Sequence, residues 1–319
     1  MSGVLDTVFV GVPVHSPLVL ASGTAGYGRE LARVMELSAV GALSTKAVSV
    51  EPRAGAAAPR VGEFAGGMIN AIGLANPGVA HVQREVLPWL AAQSGLRVFV
   101  NVVGSTLEDF VTVVETLTGE PGVDGFELNV SCPNVKAGVE FGADRALLAE
   151  LVRAVRRVTT RPLIVKLSPA SADLVGSAQV AVDAGADALT LVNTMPGLVI
   201  DLPHRRPRLG FGTGGVSGAA LLPIGVLAVW RVRRVVDVPI IGLGGVRSAQ
   251  DVLQYVLAGA TLVGIGTAAM ADPKRPARIA RDLRAWCARE GVRALADLRG
   301  GLEWPATANP GFAPRGASN

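Results

Sequence analysis

Eight short apolar runs rich in β-branched residues recur along this chain, and segments long enough to form a helix separate most of them. Continuous apolar strands are typical of a parallel sheet that is covered on both faces. Eight such strands in alternation with helices predict an α/β fold, a single-domain (β/α)8 TIM barrel. The predicted strands are Leu18–Ala21, Gly41–Thr45, Arg97–Val102, Gly125–Val130, Pro162–Leu167, Ala188–Val192, Pro239–Leu243 and Thr261–Ile265.

Three segments lie outside this pattern. Val8 to Val14, with Gly11 and Pro13 as turn residues, predicts an N-terminal hairpin that caps the barrel. The connections 47–97 and 194–234 are too long for simple crossovers and predict long lid or binding loops at the C-terminal face. Residues 1–303 are expected to form the barrel, and residues 304–319, rich in Pro, Gly and Ala, a loosely ordered tail.

Composition excludes several classes of protein. A net charge of +4 and only 4% aromatic residues do not suit a nucleic-acid binder. Cys132 and Cys287 are too far apart in sequence to supply a metal or iron–sulfur site, and we expect no metal. The N-terminus lacks the pattern of a signal peptide, and no apolar run approaches the length that crosses a bilayer. We expect a soluble cytoplasmic protein that binds neither nucleic acid nor membrane.

Polar side chains end or interrupt five of the predicted strands. Lys46, Asn129 and Asn193-Thr194 follow or close a strand, and Asn101 and Lys166 lie within one. The C-terminal ends of barrel strands carry the catalytic groups of barrel enzymes, and an unpaired buried cation is costly. Each residue alone could be a satisfied polar group, but the five positions together predict an active site.

The fourth strand leads into a thiol, in the stretch Phe126-Glu127-Leu128-Asn129-Val130-Ser131-Cys132-Pro133-Asn134. A cysteine at a strand end can act as a nucleophile or general base when its surroundings favour the thiolate. The alternative is a buried structural cysteine, since free cysteine is among the most buried residue types. For Cys287, on a predicted amphipathic helix, packing is the favoured interpretation.

Glycines follow the seventh and eighth predicted strands, at Gly242-Leu243-Gly244-Gly245 and Gly264-Ile265-Gly266-Thr267. Loops after these two strands commonly bind phosphate in such barrels, because glycine lets backbone N–H groups approach an anion. The run 212–218 either adds to this phosphate cradle or is a flexible loop. A phosphate site, a lysine near the barrel mouth and several amides together suit flavin mononucleotide (FMN).

Several of these motifs resemble those of the class 1 dihydroorotate dehydrogenases, in order and at compatible spacing from about Leu18 to Asp272. They are Gly67-Met68-Ile69-Asn70-Ala71-Ile72-Gly73-Leu74-Ala75-Asn76-Pro77-Gly78, Asn129-Val130-Ser131-Cys132-Pro133-Asn134-Val135-Lys136, Val165-Lys166-Leu167-Ser168-Pro169, Asn193-Thr194 and Ile241-Gly242-Leu243-Gly244-Gly245-Val246.

The resemblance implies oxidation of (S)-dihydroorotate to orotate in de novo pyrimidine biosynthesis, on FMN held by residues 1–303. Cys132 would take a proton from C5 while a hydride passes from C6 to flavin N5. The implied substrate-binding residues are Lys46, Asn70, Ala71, Ile72, Gly73, Leu74, Asn129, Asn193 and Thr194. The implied cofactor-binding residues are Ser22, Lys46, Ala47, Asn101, Asn129, Lys166, Val192, Gly218, Gly244, Gly245, Gly266 and Thr267.

Within class 1, the run 21–28 resembles the 1B branch more than the fumarate-reducing 1A branch. The resemblance then implies a homodimer and a separate electron-transfer subunit that carries FAD and a [2Fe–2S] cluster, with NAD+ as the final acceptor. Residues 133–142 are predicted to form a lid. The basic run 204–208 is either a solvated loop or a docking site for an electron-transfer partner.

Three other functions remain open at this point. One is a related flavin barrel that acts on another dihydropyrimidine. Another is a non-redox phosphate-binding lyase or isomerase in which Lys166 forms a Schiff base. The third is a binding or scaffold protein that has kept the fold without turnover, and fold alone does not decide among them.

Overall fold

The computed structural model describes residues 3–130 and 141–305. Its strands, numbered in chain order, are β1 (Thr7–Phe9), β2 (Val12–Val14), β3 (Leu18–Leu20), β4 (Ala42–Ser44), β5 (Val61–Phe64), β6 (Gly67–Asn70), β7 (Arg97–Val102), β8 (Gly125–Asn129), β9 (Leu163–Leu167), β10 (Ala188–Leu191), β11 (Met195–Gly197), β12 (Ile200–Asp201), β13 (Arg206–Pro207), β14 (Gly214–Ser217), β15 (Ile240–Leu243) and β16 (Leu262–Ile265).

Eight of these strands close into a parallel barrel in the order β3-β4-β7-β8-β9-β10-β15-β16, with β16 pairing to β3. The predicted (β/α)8 TIM barrel is therefore confirmed, and each strand lies within one or two residues of its predicted bounds.

Helices connect the strands and cover the outside of the barrel. They are α1 (Arg29–Ala32), α2 (Val79–His81), α3 (Leu87–Ala91), α4 (Leu107–Leu117), α5 (Arg145–Arg156), α6 (Leu174–Asp183), α7 (Leu222–Arg233), α8 (Ala249–Ala258), α9 (Thr267–Ala271) and α10 (Arg275–Arg289). A π-helical segment, Val82–Val86, joins α2 to α3, and short 3-10 turns lie at Leu37–Ala39, Ala219–Leu221 and Leu295–Leu298.

Local sequence explains where the longer helices begin. Thr106 before α4 and Ser248 before α8 each accept a hydrogen bond from the backbone three residues later, and Asp109 and Asp251 bond back to complete capping boxes. Such caps satisfy backbone N–H groups that the helix itself leaves free, and each is worth about 1 kcal/mol.

The predicted N-terminal hairpin is confirmed, and it closes the lower end of the barrel. β1 and β2 pair antiparallel, and Phe9 packs against Phe99 of β7 at 5.5 Å between ring centroids. Phe9 belongs to a fully buried apolar cluster with one residue from each of seven barrel strands, namely Val19, Ala42, Phe99, Ile164, Ala188, Ile241 and Leu262. The N-terminal end of the barrel interior is therefore a packed hydrocarbon floor.

The two long connections contain regular structure that the sequence did not predict. β5 and β6 from the first connection join β14 and β11 from the second in an antiparallel sheet of order β11-β14-β6-β5. The flexible-loop interpretation of the run 212–218 is wrong for Gly214 to Ser217, which form a central strand of this sheet. The part of this run in a phosphate cradle stays a prediction. A strand that is three-quarters Gly and Ser carries none of the usual strand signals.

Trp304, near the end of the described residues, packs against the core of the barrel. Its ring stacks on Trp230 of α7 with centroids 4.4 Å apart. The boundary at residue 304 and the order of the tail beyond it stay predictions. Among the helices in residues 3–130 and 141–305, none combines the length and the apolar character that spanning a membrane requires.

Tyr255 connects helix α8 to the turn at the C-terminal end of the barrel strand β15. Its buried hydroxyl donates to the Gly244 carbonyl at 2.8 Å, in the turn that follows β15. Burial raises the pKa of Tyr255 above its ordinary value of 10.0, so the phenol stays a neutral donor in the folded protein.

We expect Tyr255→Phe to lower the free energy of unfolding at pH 7 by about 1–3 kcal/mol, because the Gly244 carbonyl loses its partner. Above pH 10 the difference from the wild type should shrink. Above pH 10, Tyr255 ionises in the unfolded wild type but not in the folded protein, and this lowers the free energy of unfolding of the wild type. The phenylalanine variant has no ionisable group at this position, so its free energy of unfolding does not fall for this reason. Urea unfolding at pH 7 and at about pH 10.5 measures both effects. A difference that stays constant across this range would contradict the argument.

Candidate active site

Above the apolar floor, the next inward-facing layer of the barrel is polar. Residues two positions further along a strand face the same side, so the layer above Ala42, Phe99, Ile164 and Ala188 holds Ser44, Asn101, Lys166 and Thr190. β8 contributes Glu127 to the same layer. All five side chains are buried, although the strands that carry them are otherwise apolar.

Lys166 reaches across the barrel from β9. Its Nζ donates to Ser22 Oγ at 3.1 Å, just after β3, the strand that lies opposite β9 in the barrel order. On its own side of the barrel, Nζ lies 3.8 Å from Glu127 Oε1, and the two side chains are 5% and 2% exposed. The structure thus brings the predicted residues Lys166 and Ser22 together in the middle of the barrel.

Glu127 is the residue of this site that sequence reasoning missed. Its Oε1 accepts from Asn101 Nδ2 at 2.7 Å, and its Oε2 accepts from Thr190 Oγ1 at 2.8 Å. A carboxylate inside an apolar strand, two residues before Asn129, was the signal that could have identified it, because an acidic residue is almost never fully buried without partners.

Asn101 is fully buried and only partly satisfied. Its backbone N–H donates to Thr45 Oγ1 at 3.1 Å, and Nδ2 is bonded to Glu127. Its Oδ1 is buried and has no hydrogen-bond partner among the described residues. A buried unsatisfied acceptor is costly, and such an atom in a barrel interior marks the place of a ligand donor.

At the C-terminal end of the barrel, the predicted amides come together. Asn193 Nδ2 donates to Asn129 Oδ1 at 3.1 Å, and the Thr194 backbone N–H donates to Asn193 Oδ1 at 2.8 Å. Asn129 is in register with Lys166 on the neighbouring strand, so the amide pair is one strand from the buried ammonium.

Asn70 and Thr194 both lie against Gly215 of β14 in the small antiparallel sheet. Asn70 Nδ2 donates to the Gly215 carbonyl at 3.2 Å, and β11, which begins directly after Thr194, pairs with β14. A Cβ atom at Gly215 would overlap Thr194 Oγ1. Glycine at this position is therefore required by the close approach of the Thr194 side chain to the strand.

Predicted residues 71–74 follow Asn70 in a turn. Gly73 and Leu74 both have positive φ angles of 69° and 57°, and a Cβ at Gly73 would overlap the Ala56 backbone nitrogen. Ala71 N–H donates to the Arg60 carbonyl at 2.8 Å, and the Ile72 carbonyl accepts from Ala56 N–H at 3.0 Å. These bonds fix the turn, and its partly exposed residues border the small sheet.

Lys46, at the end of β4, is half-buried. Its backbone is held by the Gly26 carbonyl at 2.8 Å. Within residues 3–130 and 141–305, its ammonium makes no hydrogen bond or ion pair. Ala47 and Val192 are buried and have apolar side chains. Their backbone groups already bond within the protein at the Ala47 carbonyl, which accepts from the Tyr27 hydroxyl, and at the Val192 N–H, which donates to the Leu243 carbonyl.

The predicted glycine loops lie side by side, because β15 and β16 are neighbours. Gly244 and Gly245 have φ angles of 129° and 73°, and a Cβ at Gly245 would lie 2.5 Å from the Leu222 nitrogen. Thr267 Oγ1 donates to Ser217 Oγ at 2.8 Å, which ties the start of α9 to the small sheet. Gly218, with φ 105°, follows Ser217 directly.

Cys132 and most of the predicted lid, residues 133–142, lie outside the described residues. The described residues on its two sides are adjacent, since Gly142 N–H donates to the Val130 carbonyl at 3.0 Å. In sequence, Cys132 is two residues beyond Val130.

The fold and the site define the class of protein. A (β/α)8 barrel whose C-terminal ends hold an ammonium, several amides and glycine-rich turns has the architecture of a barrel enzyme.

Comparison with known proteins identifies the family. The dihydroorotate dehydrogenase family profile matches residues 4–286. The chain is 44% identical over 300 residues to the dihydroorotate dehydrogenase B (NAD(+)) catalytic subunit of Geobacter sp. (strain M21), covering 94% of this chain and 98% of the relative. It is 46% identical over 294 residues to the protein of the same name from Pelobacter propionicus, covering 92% and 96%. The chain belongs to the dihydroorotate dehydrogenase family.

Two further comparisons extend this result. A Solibacter usitatus protein, provisionally named dihydroorotate dehydrogenase A (fumarate), is 47% identical over 307 residues, covering 95% of this chain and all of the relative. A crystal structure of a DHODH from Eimeria tenella in complex with ferulenol superposes with a TM-score of 0.76 at 21% identity, covering 93% and 88% of the two chains. At that identity the likeness shows the fold alone.

The close approach of Thr194 to Gly215 yields a stability prediction. Gly215→Ala should lower the free energy of unfolding by about 1–3 kcal/mol, because the new methyl group displaces Thr194 and strains the small sheet. Gly119→Ala is the matched control, since a Cβ there meets nothing within 4 Å. Its effect should stay within about 0.5 kcal/mol in urea unfolding. Equal free energies of unfolding for the two variants would contradict the prediction, because they would mean that the sheet accommodates the methyl group at position 215 without cost.

Proposed function

We propose that this chain oxidises (S)-dihydroorotate to orotate with bound FMN, as the catalytic chain of an NAD+-linked dihydroorotate dehydrogenase. The observation that carries the proposal is the pairing of Asn129 with Asn193 beside the buried Lys166 ammonium, at the strand ends where the family motifs lie. Membership of the family favours this reaction over the lyase or isomerase alternative. A location in the cytoplasm stays a prediction.

The described residues fit FMN. The unsatisfied Asn101 Oδ1 can accept from an imide N–H, and the Lys166 ammonium can face the ring edge on which negative charge collects. Gly244 and Gly245, with positive φ angles, form the turn after β15, where backbone N–H groups would bind the phosphate. When bound, FMN supplies the two-electron acceptor for the hydride from C6 of the substrate.

The chain's own residues then bind the substrate and remove its proton. Lys46, whose ammonium has no partner among the described residues, would pair with the substrate carboxylate. Asn70, Asn129, Asn193 and Thr194 would supply donors and acceptors to the amide-like edges of the ring. Cys132 Sγ would take the proton from C5, and the 133–142 segment is proposed to exclude water from that step.

Anaerobic mixing with dihydroorotate tests this function. We expect the flavin of the FMN-loaded wild type to bleach rapidly, and Cys132→Ser and Cys132→Ala to slow bleaching by roughly 100-fold or more, as loss of a general base does. Cys287→Ala is the matched control, because Cys287 is buried in α10, and it should bleach like the wild type. An FMN-loaded wild type that does not bleach would falsify the substrate assignment and leave the cofactor assignment standing.

The electron acceptor and the partner subunit are a separate part of the proposal. Two of the relatives above are named NAD(+) catalytic subunits and one is named for fumarate. We propose NAD+, reached through a partner that carries FAD and a [2Fe–2S] cluster, together with a homodimer of this chain. Re-oxidation of the isolated reduced chain by fumarate would favour the other acceptor.

We propose that the second long connection supplies the surface for such a partner. β12 and β13 form a hairpin whose turn carries Arg205 with a φ angle of 49°. Arg205 and Arg206 are exposed, and neither guanidinium makes a hydrogen bond or ion pair within the described residues. Four large apolar side chains nearby are more than half exposed, namely Leu198, Ile200, Leu202 and Phe211. Apolar area beside exposed arginines is typical of a protein–protein interface.

Charge reversal tests this docking surface. Arg205→Glu together with Arg206→Glu should weaken NAD+-linked turnover with the partner at least tenfold and reduce its salt dependence, while flavin bleaching by dihydroorotate stays at the wild-type rate. Arg153→Glu with Arg284→Glu, on exposed positions of α5 and α10, changes the net charge equally and should leave turnover unaltered. Equal NAD+-linked turnover and equal salt dependence in the two double variants would reject the docking hypothesis and favour a solvated loop.

A further inference from the structure

Glu127 is a buried carboxylate that neither the substrate-binding nor the proton-transfer part of the proposed function uses. It is 2% exposed and faces the barrel interior from β8. Its three polar neighbours come from both adjacent strands and the next one: Asn101 from β7, Lys166 from β9 and Thr190 from β10. Two of these neighbours, Asn101 and Lys166, are the residues that the fit to FMN invokes.

The first consequence concerns Asn101. An ionised carboxylate only accepts hydrogen bonds, so it binds the amide through Nδ2 and not through Oδ1. The 2.7 Å bond from Nδ2 to Glu127 Oε1 therefore turns Oδ1 to the opposite side of the amide. That oxygen is the buried acceptor without a partner among the described residues. Glu127 thus selects which end of Asn101 is free for a ligand.

The second consequence concerns Lys166. Burial in a barrel interior disfavours a charged amine unless an opposite charge lies nearby. In the described part of the chain, Glu127 is the only carboxylate within 4 Å of Lys166 Nζ, and Ser22 Oγ supplies a neutral acceptor. Lys46, at the end of β4, is separated from β9 by the two strands β7 and β8, and its positive charge can only oppose a second one. The charge on Lys166 therefore depends on Glu127.

We propose that Glu127 is a positioning residue of the flavin site: it keeps Lys166 an ammonium, and it holds Asn101 with Oδ1 turned toward the ligand. The assignment rests on the proposed function for the identity of the ligand, but not for the pairing itself. Asn101 and Lys166 both approach Oε1, whereas Thr190 Oγ1 donates to the other oxygen, Oε2.

The charge of Lys166 can be observed directly. The chain has only four lysines, Lys46, Lys136, Lys166 and Lys274, so selective 13Cε labelling gives four assignable NMR signals, and the 13Cε shift distinguishes ammonium from amine. An ordinary lysine is fully charged at pH 8. At this pH, without flavin, we expect the Lys166 signal at the ammonium position in the wild type and displaced toward the amine position in Glu127→Gln, which is isosteric but uncharged.

Two control variants separate charge from packing. Thr190→Val removes one hydrogen bond to Glu127 but no charge, and Glu127→Asp keeps the charge on a shorter side chain, so both should retain the ammonium signal. A Lys166 ammonium signal in Glu127→Gln would overturn the proposal. If Glu127→Gln does not fold, the double variant Glu127→Gln with Lys166→Met decides: a folded double variant indicates a compensating pair, and an unfolded one rejects it.

FMN binding gives a second readout. Titration of the flavin-free protein with FMN should show at least a tenfold higher dissociation constant for Glu127→Gln, and a change of less than about threefold for Thr190→Val. Unaltered FMN affinity in Glu127→Gln would reject a contribution of the Glu127 charge to the flavin site. A wild type that binds no FMN would instead reject the proposed function, while the lysine signals would still decide the pairing.

Discussion

The pleat of the parallel barrel strands is the constraint on which this structure depends. Alternate side chains face the interior, and consecutive inward positions form stacked layers. The lower layer is hydrocarbon, and the N-terminal hairpin closes it through Phe9 and Phe99. Polar groups in the layer above cannot be hydrated from below, so they must bond to one another or to a ligand that enters from the C-terminal end.

Charge balance in that upper layer connects the fold to the chemistry. The Lys166 ammonium and the Glu127 carboxylate compensate each other within the barrel, and Ser22, Asn101 and Thr190 provide the remaining bonds. A buried pair of this kind contributes little net stability, because desolvation offsets most of the attraction. Its presence in the middle of an otherwise apolar interior is therefore better explained by the site than by the stability of the fold.

The positions of the amide side chains at the C-terminal end of the barrel depend on the small antiparallel sheet as well as on the barrel. The antiparallel sheet formed by the two long connections holds Asn70 against Gly215 and begins directly after Thr194. Asn129 ends β8, and Asn193 lies two residues after β10. Side chains from segments more than a hundred residues apart thus meet because backbone hydrogen bonds fix the sheet. Glycine at position 215 is needed for this approach, and its role is steric.

The sequence by itself determined the barrel, the strand bounds and most of the polar positions, because the eight apolar runs and the polar residues that end or interrupt five of them are local patterns. Glu127 carried the same signal as Asn101 and Lys166, a polar residue within an apolar strand, but its bonding partners come from other strands and are visible only in the folded barrel. Tertiary structure alone decided that Lys166 meets Ser22 across the barrel, that Asn101 keeps one unsatisfied oxygen, and that Gly214 to Ser217 form a strand. These outcomes depend on strand order, barrel closure and pairing between distant segments, which no local pattern of residues encodes.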